Sequence, residues 1–342
     1  MNNHVSQIER LCSEAEDQGV LNGVLGLYKD YAPILELACG ISDFDAAKPM
    51  RVESVFDLAS ITKQFTTAAV MLLSQRGLLK PEDPLAHYIK GIPYDVTLEM
   101  LMNHTSGMPD EEWCVQFLTD RTHPINNDKL IEILRAHKPE PLFAPGAGWC
   151  YSNIAYEILA SVVERVSGRD FERFLMEEFF IPAGMKRTRV HHRFMGLPEP
   201  EHMAHSRVWE NGALVPPEKS AGAEFIVPLE GVNGAGLVYT CVGDMNLWDK
   251  ALREGKILTR ETQREMLTPV PTTRPGEDYG YGWFITRDRR WIHHSGGWPG
   301  YINQFYRRPD RPMCLVLLTS AQRDREALDK LTGQIIELAY DV

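Results

Sequence analysis

Apolar residues recur every three to four positions in several segments of this chain, and that spacing predicts amphipathic helices. One segment lies near the N-terminus at residues 5–18, and another closes the chain at residues 324–340. An apolar helix is also predicted from about residue 56 to Gly77, because glycine commonly follows a helix end. Further helices are predicted at residues 97–102, 127–136, 153–166, 171–180 and 242–253.

Short apolar runs between turn residues predict strands at both ends of the chain. Residues 24–29 and 34–40 are separated by Ala32-Pro33 and predict a hairpin. Further strands are predicted at residues 279–286, 290–294, 301–307 and 313–319. Because strands lie at both ends and helices between them, we expect an α+β fold in which both ends pair in one antiparallel sheet flanked by the terminal helices.

This arrangement predicts two domains. Residues 1–57 and 236–342 are assigned to a discontinuous sheet domain, and residues 58–235 to a mostly helical insertion domain. Within the insertion, residues 186–235 are expected to be loop-rich, because five prolines interrupt any long element. A cleft between two domains is the usual place for a ligand site.

Ser60 and Lys63 lie at positions i and i+3 near the start of the predicted apolar helix, so their side chains are expected on one face. A serine hydroxyl becomes a good nucleophile only when a base takes its proton, and a lysine desolvated by apolar surroundings can do so. The S-x-x-K pattern alone is weak evidence, because a chain of this length contains it by chance about once.

Two later motifs add groups that suit the same chemistry. Tyr151 precedes a predicted helix that begins with Asn153, and a phenol near a lysine can relay a proton. The alternative is a buried tyrosine followed by an asparagine that caps the helix. The segment His294-Ser295-Gly296-Gly297-Trp298 ends a predicted strand. Its glycines either let a substrate approach the strand edge or simply form a turn beside an incidental histidine.

The order S-x-x-K, Y-x-N, H-S-G resembles the serine β-lactamase and penicillin-binding-protein-like hydrolases, specifically the class C β-lactamase-related branch with its esterases and D-aminopeptidases. The resemblance covers roughly residues 20–325. Four more segments are similar to motifs of that branch: 101–109 (LMNHTSGMP), 145–156 (PGAGWCYSNIAY), 181–185 (IPAGM) and 236–245 (GLVYTCVGDM).

The resemblance implies the β-lactamase-like fold and a role for each matching residue. Ser60 would be the acylated nucleophile, Lys63 its proton acceptor or relay, and Tyr151 a second general acid and base. Which of Lys63 and Tyr151 is the base stays open at this point. The resemblance places oxyanion donors at the backbone N–H groups of Ser60 and Gly297. The residues expected to bind substrate are Asn153, His294, Ser295, Gly296, Gly297 and Trp298.

His294 departs from the lysine that β-lactamases and DD-peptidases usually carry in the third motif. Histidine has a reference pKa of about 6.5 and is largely neutral at pH 7. We therefore expect weaker capture of a substrate carboxylate and predict a hydrolase of small esters or amides. Alternatives are an acyltransferase using the same acyl-enzyme, a D-aminopeptidase or weak β-lactamase, and a non-catalytic binding protein that keeps the fold.

Charge and composition limit the classes of partner and the cellular locations that we expect. The net charge of −11 argues against a nucleic-acid or anionic-membrane partner. The first ten residues lack the features of a secretory signal, no apolar run is long enough to span a bilayer, and the six cysteines are scattered. We expect a cytoplasmic protein without membrane insertion, cofactor or metal site, acting on a small molecule, and homo-oligomerisation stays open.

Overall fold

The computed structural model of the protein describes residues 3–342, except for the side chains of Glu112 and Gln322. Met1 and Asn2, which were assigned to the sheet domain, lie outside the described residues. The helices are α1 Asn3–Asp17, α2 Lys63–Gln75, α3 Leu98–Met102, α4 Glu111–Val115, α5 Asn127–His137, α6 Asn153–Ser167, α7 Phe171–Leu175, α8 Ile181–Ala183, α9 Ile226–Leu229, α10 Val242–Arg253, α11 Arg260–Met266 and α12 Arg325–Tyr340. Turns of 3-10 helix cover Ala59–Thr62, Leu85–His87 and Pro217–Lys219, and a π-helical turn covers Met176–Phe180.

The strands of the described residues form one large sheet and three small ones. They are β1 Gly23–Lys29, β2 Ala32–Cys39, β3 Ile41–Asp43, β4 Lys48–Pro49, β5 Phe56–Asp57, β6 Arg189–Val190, β7 Arg207–Glu210, β8 Ala213–Val215, β9 Val238–Thr240, β10 Val270–Pro271, β11 Glu277–Tyr279, β12 Phe284–Thr286, β13 Ile292–Trp298, β14 Tyr301–Arg307, β15 Met313–Thr319 and β16 Ala321–Gln322.

The large sheet has eight antiparallel strands in the order β10-β11-β12-β13-β14-β15-β1-β2. The N-terminal hairpin joins the C-terminal strands through β1 and β15, with Gly23 opposite Thr319 and Lys29 opposite Met313. The predicted pairing of the two chain ends in one sheet is therefore confirmed. The division into domains at residues 57 and 235 stays a prediction.

Both faces of the sheet centre are buried, which explains the unbroken apolar run of β15. Leu315 and Leu317 pack towards α1 and α12, whose Ile8 and Ile335 are fully buried. Val316, from the opposite face of β15, joins the larger core that contains α2 and α6. The two helices of that core pack together, and α2 is buried from its first residue. The start of α2 thus lies between the sheet and the helical part.

Several predicted boundaries differ from the structure: the strand predicted at 290–294 is Ile292–Trp298, and the helix predicted at 171–180 is α-helical only to Leu175. Two further differences lie next to α2. Phe56 and Asp57 form strand β5 instead of the first turn of the Ser60 helix. The strand predicted at residues 279–286 is divided, because Gly282 lies against α2 with φ +77°. A Cβ at Gly282 would lie 2.6 Å from Thr67 Oγ1, so this close approach requires glycine and interrupts the strand. Within residues 3–342, no helix is both long and apolar enough to cross a bilayer.

Candidate active site

Ser60 lies in the 3-10 turn that leads into α2. The residue before it, Ala59, has φ +48°, which is uncommon for a residue other than glycine. The N–H of Ala59 donates a 2.8 Å hydrogen bond to Asp57 Oδ1, and Asn303 Nδ2 donates to the Asp57 carbonyl oxygen at 2.7 Å. Burial, together with the charge of Glu230, raises the pKa of Asp57 to about 7. These contacts hold the backbone turn that presents Ser60.

Lys63 is fully buried and contacts three polar atoms. Its Nζ lies 3.2 Å from Ser60 Oγ, 2.6 Å from Asn153 Oδ1 and 3.1 Å from the carbonyl oxygen of Ala235. As an ammonium, Lys63 donates to all three atoms. As a neutral amine, it donates to the amide and carbonyl oxygens and accepts the proton of the Ser60 hydroxyl. The predicted closeness of Ser60 and Lys63 is thus found.

Tyr151 also lies beside Lys63, whose Nζ is 4.9 Å from the centre of the phenol ring. The Tyr151 hydroxyl is buried and has no hydrogen-bond partner among the described residues. The ring packs against His104 with a centroid distance of 4.3 Å and an angle of 38° between the ring planes. Burial, helped by Lys63, lowers the pKa of His104 well below its usual value. The Tyr151 hydroxyl is therefore free to bond to a ligand.

Asn153 is the first residue of α6, and the helix cap is Ser152, whose Oγ accepts from the Ala155 N–H at 3.3 Å. The alternative of a capping asparagine is wrong for this reason. Asn153 instead links Lys63, through Oδ1, to Glu111, because its Nδ2 donates to Glu111 Oε1 at 3.0 Å. Both ends of the amide are occupied within the protein, so a substrate contact from Asn153 stays a prediction.

His294 lies in β13 and is buried. Its Nδ1 is 2.6 Å from the carbonyl oxygen of Ser295, and its Nε2 is 3.0 Å from the hydroxyl of Tyr279. Because a carbonyl only accepts, Nδ1 carries the hydrogen, and Nε2 accepts from the hydroxyl. Burial and the charge of Lys63 lower the pKa of His294 well below its usual value. His294 is thus neutral, and its contact with substrate stays a prediction.

The glycines after His294 have different environments. A Cβ at Gly296 would lie 2.0 Å from the Leu58 carbonyl oxygen, so glycine is needed where β13 approaches the turn before Ser60. A Cβ at Gly297 would meet no atom within 4 Å. Trp298 Nε1 donates to Glu230 Oε1 at 2.9 Å, and this atom also accepts from Arg193 Nε at 3.0 Å. The Trp298 ring is thereby attached to the loop-rich segment.

Two cavities open beside Ser60, and Ser60 and Gly297 line both. We name the first, of about 50 Å³, the carboxyl cavity; its polar wall is formed by Asp57, Glu111, Asn153, Glu157 and Trp298. We name the second, of about 200 Å³, the arginine cavity; its polar wall is formed by Tyr151, Arg274, His294, Ser295, Gln304 and Arg325. Apart from Lys63, which lies behind Ser60, every predicted site residue lines at least one of the two cavities.

The acidic residues of the carboxyl cavity were missed from the sequence. A signal for Glu157 was present, because it follows Asn153 by four residues and so lies on the same helix face. It is also the one charged residue in the segment from Ile154 to Val163, every residue of which is buried. Within the described residues, no group of three or more His, Cys, Asp and Glu side chains is arranged to hold a metal ion.

Comparison with known proteins identifies the family. Residues 8–339 match the family model for Beta-lactamase. The chain belongs to the β-lactamase family. It is similar to a penicillin-binding protein of Bacillus subtilis (strain 168), with 32% identity over 296 residues that cover 84% of this chain and 65% of that protein. This chain thus spans slightly less than two thirds of that relative's length.

Two further similarities are informative. Esterase EstB of Burkholderia gladioli is 30% identical over 199 residues, which cover 53% of this chain and 50% of the esterase. The D-amino acid amidase from Ochrobactrum anthropi SV3, complexed with L-phenylalanine amide, superimposes with a TM-score of 0.83. That match covers 99% of both chains at 22% identity, so it supports the fold alone. The expected β-lactamase-like α+β fold is confirmed.

Proposed function

We propose that this protein is a serine hydrolase that cleaves small esters or amides through an acyl-enzyme on Ser60. The observation that carries the proposal is the 3.2 Å contact between Ser60 Oγ and the buried Lys63 Nζ, whose other two neighbours are fixed acceptors. Membership of the β-lactamase family and the similarity to an esterase support the same reaction class.

In the acylation step, Ser60 Oγ bonds to the substrate carbonyl carbon while Lys63, as a neutral amine, takes the hydroxyl proton. Lys63 is proposed as this base because its Nζ is within hydrogen-bond distance of Oγ. The negative charge on the carbonyl oxygen is stabilised by the backbone N–H groups of Ser60 and Gly297, the residues that line both cavities.

The bond from the carbonyl carbon to the leaving oxygen or nitrogen then breaks, and that atom receives a proton from the Tyr151 hydroxyl. Tyr151 is suited to this role because its hydroxyl has no partner among the described residues. Lys63 returns a proton to the phenolate. Water then attacks the ester on Ser60, which releases the carboxylic acid and restores the serine hydroxyl.

The test combines labelling and turnover. We expect mass spectrometry to detect a fluorophosphonate adduct on Ser60, and the Ser60→Ala variant to lose the adduct and at least about 10⁴-fold in kcat on a short-chain p-nitrophenyl ester. Ser74→Ala, near the end of the same helix, is the control and should keep both. Turnover that persists in Ser60→Ala, or labelling at another residue, would disprove the proposal.

Hydrolysis in place of acyl transfer, and the cytoplasmic location, stay predictions. Product analysis with added alcohol or amine acceptors separates hydrolysis from acyl transfer, because a transferase forms a new ester or amide in place of the acid. Fractionation of the source cells tests the expected cytoplasmic location.

A further inference from the structure

The backbone at Trp298 is fixed by a tight turn at the end of β13. Trp298 pairs with Tyr301 across the two residues Pro299 and Gly300. A proline followed by a glycine with positive φ, here +85°, suits such a turn. The Tyr301 hydroxyl donates to the Ala204 carbonyl oxygen at 2.7 Å. The turn that presents Trp298 is therefore tied to the loop-rich segment.

Two residues that flank α9 hold the side chain of Trp298. Its Nε1 donates to Glu230 Oε1 at 2.9 Å. The Phe225 ring packs against the indole with a centroid distance of 5.5 Å and an angle of 83° between the ring planes, a favourable edge-to-face arrangement. Phe225 precedes α9 and Glu230 follows it. The indole is thus attached to both ends of α9.

Glu230 is itself held by a buried ion pair. Its side chain is 0% exposed, and its Oε1 also accepts from Arg193 Nε at 3.0 Å. The Arg193 side chain is 12% exposed, so the pair is largely shielded from water. A buried charge without its partner is costly, and hydrogen bonds to a charged acceptor are stronger than neutral ones. The ion pair therefore fixes the oxygen atom to which the indole is bonded.

The position of Tyr151 indicates which part of the substrate meets Trp298. A proton donor must lie within hydrogen-bond reach of the leaving atom. Tyr151 lines the arginine cavity and is absent from the wall of the carboxyl cavity, so the leaving group is assigned to the former and the acyl group to the latter. The apolar wall of the carboxyl cavity includes Leu229, Val232 and Trp298. Its volume of about 50 Å³ holds only a few groups of the size of a water molecule.

We propose that Glu230 is a positioning residue that fixes Trp298 and thereby limits the length of the acyl group that the carboxyl cavity accepts. The inference rests on the proposed function. Glu230 is fully buried and does not line the cavity, so it acts through Trp298 and through its chain neighbour Leu229. Because Glu230, Phe225 and the turn all hold the indole, a longer acyl chain must break these contacts to displace it.

The experiment compares p-nitrophenyl acetate, butyrate and hexanoate, which share one leaving group and differ in the length of the acyl chain. For the wild type we expect kcat/KM to fall by about tenfold or more from acetate to hexanoate, because a chain that does not fit displaces packed side chains. Trp298→Ala should raise the ratio of hexanoate to acetate by about tenfold or more, since each methylene that becomes buried is worth about fourfold. Trp209→Ala, at an exposed tryptophan of β7, is the control and should keep the ratio.

The role of Glu230 is tested by removing its charge. Glu230→Gln should raise the same ratio by about fivefold, because an amide oxygen holds the indole more weakly than a carboxylate. The Arg193→Gln, Glu230→Gln double variant should do the same, and it decides should the single variant fail to fold, because it leaves no buried charge unpaired. Glu218→Gln removes the other acidic neighbour of Arg193, at 3.9 Å, and should keep the wild-type ratio.

The outcomes separate this inference from the proposed function. A wild-type ratio in Trp298→Ala, or a wild type that prefers hexanoate, overturns the limit set by Trp298 and leaves the acyl-enzyme on Ser60 intact. A raised ratio in Trp298→Ala with a wild-type ratio in both Glu230 variants overturns the assignment to Glu230. An equal rise in Glu218→Gln and Glu230→Gln also overturns that assignment. No turnover of any ester by the wild type overturns both proposals.

Discussion

The carboxyl cavity and the arginine cavity meet at Ser60 and are lined by opposite kinds of ionisable group. The described lining residues of the first include three carboxyl groups and no base, whereas those of the second include Arg274, Arg325 and the neutral His294 and no acid. Ser60 thus lies between a wall with three carboxyl groups and a wall with two arginines. A substrate that filled both cavities would meet different ionisable groups at its two ends.

The two cavities also differ in their exposure to water. Asp57 and Glu157 are almost completely buried, whereas the side chains of Arg274 and Arg325 are 47% and 52% exposed. Charges interact strongly in the buried wall and are screened in the exposed one. The carboxyl cavity is consequently suited to strict selection of the group that it binds. The arginine cavity is suited to weak attraction of an anionic group.

Among the residues that line only one of the two cavities, the largest effect is expected from Tyr151, whose hydroxyl belongs to the arginine cavity. Tyr151→Phe should lower kcat by about 10² to 10⁴ because the leaving group loses its proton donor. The stability of the fold should be unchanged, since the hydroxyl has no hydrogen-bond partner among the described residues. Steady-state kinetics and urea unfolding measure the two effects.

Tyr156→Phe is the matched control for Tyr151→Phe. The Tyr156 hydroxyl donates to the Met102 carbonyl oxygen at 2.5 Å in the buried core, so its removal should cost about 1 kcal/mol of stability and leave kcat largely intact. An equal loss of kcat in both variants would contradict the assignment of proton transfer to the arginine cavity.

Local sequence patterns were sufficient to predict the main helices and strands and the closeness of Ser60 and Lys63. Strands β14 and β15 and helix α10 have the predicted bounds, because an apolar run or a helical repeat ended in clear turn residues. Ser60 and Lys63 come together because three residues make almost one turn of a helix. Such short-range geometry is fixed by the local backbone and is therefore readable from the sequence.

The charges of the two cavities were not predicted, because tertiary packing produces them. Arg274 precedes β11 and Arg325 begins α12, and no local pattern indicates that both face Ser60. The expectation of weak carboxylate capture considered His294 alone. His294 is indeed neutral, but the two arginines place positive charge on the same wall. That expectation therefore applies to the third motif and not to the whole cavity.

A smaller effect is expected from these arginines. The Arg274→Gln, Arg325→Gln double variant should raise KM by up to about fivefold for a dipeptide with a free carboxylate, because exposed ionic contacts contribute about 1 kcal/mol or less. The KM of the same dipeptide with an amidated C-terminus should not change. The effect should disappear at high salt. Arg10→Gln, a change of an exposed arginine on α1, serves as the control. An equal change of KM for both dipeptides would disprove charge recognition in this cavity.

The smallest expected effect is on the stability of the fold, through the contact between His192 and Glu172 behind the wall of the carboxyl cavity. His192 Nδ1 donates to the carbonyl oxygen of Glu230 at 2.8 Å, and its Nε2 lies 2.5 Å from Glu172 Oε1. Glu230 holds Trp298 and follows Leu229, and both Trp298 and Leu229 line the cavity. Burial is the largest single influence and lowers the pKa of His192, but the hydrogen bonds to Glu172 and to the Glu230 carbonyl oxygen, together with the charges of both glutamates, outweigh it, and the pKa is raised.

A raised pKa in the folded state means that this ion pair stabilises the fold below the unfolded value of about 6.5, and that the stabilisation is lost as the pH rises through the folded pKa. Glu172→Gln should therefore lower the free energy of unfolding at pH 5.5, by about 1 kcal/mol at most because Glu172 is 43% exposed, and have little effect at pH 8.5. Urea unfolding at both pH values measures this difference. Glu177→Gln is the control, because its partners Arg169 and Arg173 stay charged at both pH values. A loss in Glu172→Gln that is equal at the two pH values would mean that His192 stays neutral and that its contact with Glu172 is an ordinary hydrogen bond.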